Sequence, residues 1–165
     1  MKNILSKTAL LSFVFVVSVI VASAQSDAEL KTKIEKLNQE IGAAMVSGDY
    51  DKGLSFYTKD VISLPNYQPM LRGIDAIKKS NEEMAKAGWK VNDFKINTMS
   101  VTSCNNLITE IGTFQISFTM QDMDKPMTDV GKYITIWEKQ PDGSLKIKIE
   151  TWNTDNYPVK EEKKM

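Results

Sequence analysis

Between Asp27 and Ser47 the apolar residues Leu30, Ile34, Leu37, Ile41, Ala44 and Met45 recur at spacings of three and four. That is the period of one helix face, so the segment predicts an amphipathic helix, ended by Gly48. Asp49 is placed to cap a second, shorter helix holding Leu54, Phe56 and Tyr57. Val61 to Leu64 reads as a short strand, Pro65 to Pro69 as a turn and Met70 to Arg72 as the return. Gly73 opens a third helix with Ile74, Ile77 and Met84 on its apolar side, and Gly88 closes it.

From Trp89 onward the period drops to two. Trp89–Thr102, Leu107–Met120, Thr128–Lys139 and Ser144–Asp155 alternate in character, and polar turns at Ser103–Asn106, Gln121–Pro126 and Pro141-Asp142-Gly143 separate them. Long alternating segments with turns between them predict an antiparallel meander. Helices first and strands after predict an α+β domain with the helices on one sheet face. A long antiparallel sheet twists and curls, which leaves a hollow where the strands and the long helix converge.

The last hairpin, Gly131 to Asp155, has no plainly polar face. In its first strand Ile134 and Ile136 oppose Tyr133, Thr135 and Trp137; in its second Leu145, Ile147 and Ile149 alternate with Lys146, Lys148, Glu150 and Trp152. Both faces call for cover.

With 165 residues, 42% apolar and 25% charged, the chain suits one globular domain with an ordinary core. Basic and acidic residues balance, so no basic field exists to hold a nucleic acid backbone. The first 24 residues have a different character. Lys2 and Lys7 precede an apolar run from Ala9 to Ala22, and Ala22-Ser23-Ala24 gives the small residues of a cleavage site. This is the pattern of a secretory signal peptide cut after Ala24. The apolar run is shorter than the roughly 20 residues of a membrane span. Residue 25 is Gln, so no lipoprotein anchor is signalled. The expected mature domain is residues 25–158, secreted or periplasmic and free of the membrane, followed by a charged tail, 159–165, whose lack of apolar pattern reads as disorder.

The chain has no histidine. Ser-His and Cys-His nucleophile pairs are excluded, and so are zinc sites built on imidazole. Cys104 is the one cysteine, read as a small residue near a strand turn. Acid–base chemistry would have to use a carboxyl, Lys or Tyr. Asp122, Asp124 and Asp129 lack the glycine and final glutamate of a calcium loop and read as a solvated hairpin turn. Neither a metal nor a cofactor is expected.

The stretch "SGDYDKGLSFYTKDVISLP" with "MLRGIDAIK", and later "GKYITIWEKQPDGSLKIKIETWN", resembles the NTF2-like superfamily, and within it the SnoaL-like and DUF4440 group. The likeness runs from about Ile34 to Tyr157 and rests on the order and spacing of these segments. It implies a cone-shaped, strongly bent sheet closed by helices, commonly paired into a homodimer through the outer face of the sheet. On that reading Ile134, Ile136, Ile147 and Ile149 lie on the convex face under a second subunit, because exposed they would form a patch that monomers avoid. Tyr133, Thr135, Trp137, Lys148, Glu150 and Trp152 then face the interior, with Ile41 from the long helix. A bulge, which shifts the alternation by one residue, would reverse the assignment.

The superfamily includes ketosteroid isomerases, which use an aspartate base and a Tyr–Asp oxyanion hole. The corresponding positions here hold Leu64 or Pro65, Ile41 and Thr135, none of which carries the needed group, so that activity is not implied. The pocket tryptophan does match, at Trp152. Two carboxyls remain as candidate acid–base groups. Glu110 shares a strand face with Ile108, Gly112, Phe114, Ile116 and Phe118, and either stands alone there or pairs with Arg72 or Lys148. Glu150, two residues from Lys148, either meets a polar ligand or forms an ion pair on a wet rim. Trp152, Trp137 and Tyr133 either offer a platform for a ring-bearing ligand or pack as core at the cone mouth, core being the favoured reading for Trp137. Asn153 reads as a turn former. Three functions follow: a binding protein for a small, partly apolar molecule; a carboxylate-based isomerase, dehydratase or hydrolase; or a dimeric scaffold with a filled cone. A cavity of roughly 300 Å³ or more separates the first two from the third.

Overall fold

The computed structural model describes residues 26–121 and 123–156. The expected signal peptide, 1–24, and the expected charged tail, 159–165, lie outside the described residues. Among the described residues two helices come first, α1 (Asp27–Ser47) and α2 (Tyr50–Leu54), and a third, α3 (Ile74–Lys86), follows the first two strands. Strands β1 (Tyr57–Leu64) and β2 (Leu71–Arg72) flank the connection into α3, and β3 (Lys90–Cys104), β4 (Leu107–Thr119), β5 (Met127–Lys139) and β6 (Leu145–Thr154) follow. They form one curved six-stranded sheet in the order β2-β1-β6-β5-β4-β3. All neighbours are antiparallel except β1 and β6, which the intervening helix and strands allow to run parallel.

Local chemistry sets the boundaries. Ser26 and Glu29 form a reciprocal capping box at the start of α1, each side chain bonded to the other's backbone N–H. Gly48 ends the helix in the left-handed region, at φ 71°. Asp49 caps α2, its carboxylate accepting from the Lys52 N–H. That helix is shorter than its apolar pattern suggests: Phe56 and Tyr57 leave it, and Tyr57 begins β1 because its partner on β6 is Ile147.

The core is graded along the cone. Leu30 and Ile34 from the first half of α1 pack with Val101, Ile108, Trp137, Leu145 and Ile147 from the matching ends of β3 to β6, and this end is filled. Toward the other end of α1 the side chains spread apart and leave a hollow.

The face assignment of the last hairpin holds for one half and is corrected for the other. On β5 the odd positions point inward: Thr135 and Trp137 are buried, while Ile134 is 43% exposed on the outside. On β6 the pairing steps from Ile136↔Ile149 to Trp137↔Ile147, so Lys148 has no partner and bulges. The alternation therefore changes phase. Leu145 and Ile147 point inward before the bulge, and Glu150 and Trp152 point inward after it. Ile147, expected on the convex face, is 4% exposed in the core. Lys148, expected inside, lies on the outer face, 2.6 Å from Asp60 and 3.7 Å from Glu138.

Candidate functional site: an apolar cavity with a hydrogen-bonded carboxyl

A polar layer crosses the middle of the cone, where the filled core ends. Its centre is Glu110, which is wholly buried. Four donors from three other elements converge on it. Asn38 of α1 donates to Oε1 at 2.7 Å, Thr98 of β3 at 2.7 Å and Tyr133 of β5 at 2.6 Å, while the Trp137 indole donates to Oε2 at 2.8 Å. The amide N–H and the indole N–H can only donate, so both carboxyl oxygens act as acceptors. Neither Arg72 nor Lys148 takes part: Arg72 is exposed and Lys148 is on the other face. The expectation of a cationic partner is thus replaced by four neutral donors.

Sheet geometry positions this cluster. Gly112 on β4 faces Tyr133 on β5, and a Cβ there would overlap the Tyr133 hydroxyl and the Asn97 carbonyl. The tyrosine ring lies across the space that the missing side chain leaves, and its hydroxyl reaches back along β4 to Glu110. Burial, chiefly, and then the neighbouring Glu110 push the Tyr133 hydroxyl above its ordinary pKa, so it keeps its proton.

Beyond this layer the hollow is a cavity of about 400 Å³. Its walls are mostly apolar, with Ile41 and Met45 from α1, Met84 from α3, and Phe94, Phe114 and Trp152 from the sheet. Asn38, Tyr133 and Thr135 bring the polar layer to its floor. Glu150 lines it as well, opposite Thr135. Ser63 donates to Glu150 Oε1 at 2.8 Å, and the Tyr57 hydroxyl stands 3.1 and 3.2 Å from its two oxygens. Glu150 is half-buried, and what it is exposed to is the cavity. Burial raises its pKa, partly offset by the bonds from Ser63 and Tyr57. Burial and the Glu150 charge in turn raise that of Tyr57 well above the ordinary value.

The expected residues therefore divide. Ile41, Tyr133, Thr135, Glu150 and Trp152 meet at the cavity. Trp137 is fully buried behind it as core, tied to Glu110. Glu110 is also set behind the wall and reaches the cavity through Tyr133 and Asn38. Lys148 is removed by the bulge, and with it the proposed Glu150–Lys148 pair. Asn38, Tyr57 and Ser63 were not singled out from the sequence. Asn38 had a signal: it lies four residues after Ile34 on the apolar face of α1, where a polar residue needs a partner. Asp129, expected in a solvated turn, is half-buried on β5 and lines the cavity.

The fold is that of the NTF2-like proteins. An NTF2-like superfamily protein of Salmonella enterica superposes with a TM-score of 0.69 at 13% identity, over 83% of this chain and 99% of that one. A ketosteroid isomerase-like protein of Erwinia carotovora gives 0.65 at 12% identity, over 82% and 99%. ActVI-ORFA of Streptomyces coelicolor gives 0.65 at 11%, over 76% and 97%. No family model matches the chain, and no curated protein does. At these identities the likeness is one of fold, and the DUF4440 likeness rests on the sequence motifs alone.

Proposed function

We propose that the protein is exported and binds a small, partly apolar molecule in the cone, with Glu150 as the polar contact. The observation that carries this reading is the cavity itself: about 400 Å³ with largely apolar walls and a carboxyl turned into it. A scaffold with a filled cone would lack that space, and ligand sites are typically of this size and character. The experiment is a thermal-shift panel of small ring-bearing compounds against the unaltered protein and an Ile41→Trp variant that fills the hollow. Compounds that raise Tm only in the unaltered protein support binding. No shift with any compound, or equal shifts in both proteins, contradicts it.

A second reading, proton transfer by Glu150, is favoured by one observation: its raised pKa without a cation beside it. It requires a ligand with an acidic C–H within reach of the carboxyl. Glu150→Gln would then abolish ligand deuterium exchange.

A second copy of the chain is the proposed partner, seated on the outer sheet face. Ile111 and Ile134 are each 43% exposed there, beside Ile136 and Ile149. Ile147 plays no part in this surface.

A further inference from the structure

The hydrogen-bonding sense of the cavity is set by the two carboxyls, and it points to a class of ligand. Asn38 has two amide hydrogens, and both are committed: one to Thr98 Oγ1 at 3.0 Å, the other to Glu110 Oε1 at 2.7 Å. Its carbonyl oxygen is the group left free. The single hydroxyl hydrogen of Tyr133 goes to Glu110. Those of Tyr57 and Ser63 go to Glu150. Each of these side chains has spent its donors and retains only acceptor capacity. Glu150 itself adds a carboxyl, and Asp129 a second.

No lysine or arginine of the described residues lines the cavity, and the chain has no histidine. The remaining wall donors, such as the Thr135 hydroxyl and the Trp152 indole, are neutral. A ligand carboxylate or phosphate would therefore meet two carboxyls and no compensating cation. An ammonium group would meet acceptors, a carboxyl lacking a partner charge, and the aromatic side chains of Trp152 and Tyr133 among the lining residues, a kind of side chain that can attract cations.

From this arrangement we infer that the ligand is a ring-bearing amine, its protonated nitrogen held by Glu150 and the apolar ring lying against the aromatic walls. The inference rests on the binding reading above and names the chemical class that this site takes. It assigns Glu150 the part of a counter-charge, with Tyr57 and Ser63 as positioning residues that fix the carboxyl.

The test uses three probes that share one ring system: 2-naphthylethylamine, 2-naphthylethanol and 2-naphthylacetate, titrated calorimetrically into the unaltered protein. The amine is expected to bind at least about tenfold more tightly than the acetate, the size of effect that a charged hydrogen bond supplies. Glu150→Gln is expected to remove most of that advantage. If the alcohol binds and the amine binds no better than the acetate, this inference is overturned and the binding reading stands. If none of the three binds, and the thermal-shift panel is also blank, both fail. The probe series on the unaltered protein decides the matter even where the variant does not fold.

Discussion

Glu110 and Glu150 show how position on a strand separates two residues of identical chemistry. Glu110 is out of reach of solvent and holds four side chains together. Removing its acceptors strands buried donors, each worth about 1–3 kcal/mol. Glu110→Leu should therefore lower stability by several kcal/mol in a denaturant titration, and Glu110→Gln by about 2 kcal/mol or more, since an amide restores one acceptor and adds donors among donors. Gly112→Ala should also destabilise, by about 1–3 kcal/mol, because the new Cβ drives the Tyr133 hydroxyl off Glu110. Glu150 gives a pH effect instead. Its folded-state pKa is raised above the ordinary value of 4.5, so the folded protein holds that proton more tightly than the unfolded chain. The resulting stabilisation is full below 4.5 and is lost as pH rises through the raised value. Stability should fall with rising pH across that window, and Glu150→Gln should flatten the slope in unfolding curves recorded at several pH values.

At the scale of the element, the strand faces were half legible. On β5, an unbroken alternation carried Tyr133, Thr135 and Trp137 inward, and the sequence alone assigns them. On β6 the same logic fails after one residue. Nothing in "LKIKIETW" marks Lys148 as unpaired, because Lys is as acceptable on a bulge as on a regular strand. The bulge is set by the partners: β5 on one side, and on the other the parallel β1, where the register also shifts between Tyr57 and Ile62. Such long-range pairing has no local signature. The polar layer was hidden for a related reason. The Glu110 partners lie 12 to 72 residues away in sequence, so its solitary appearance on an apolar strand face revealed the residue but not the donors. The bulge makes a sharp prediction. Deleting Lys148 would restore strict alternation and keep Leu145, Ile147, Glu150 and Trp152 all on the inner face, at the cost of the outer-face ion pairs of Lys148 with Asp60 and Glu138. Cooperative unfolding, followed by near-ultraviolet circular dichroism, is expected to persist, and its loss would contradict this account of the bulge.

For the whole molecule, the gradient from filled core to open hollow is the feature that the proposed function uses. The helix-then-strand order made the α+β cone legible, and its solved neighbours share it. The outer sheet face supplies a separate prediction: Ile134→Glu should convert a dimer to a monomer in sedimentation velocity, and an unaltered protein that already sediments as a monomer contradicts the proposed pairing. The most direct test of the ligand site needs no prior choice of compound. Native mass spectrometry of the protein, purified without denaturation, should show a small organic molecule retained at one per chain and lost from Trp152→Ala. Protein that is consistently empty, or a molecule retained equally after Trp152→Ala, would contradict the account.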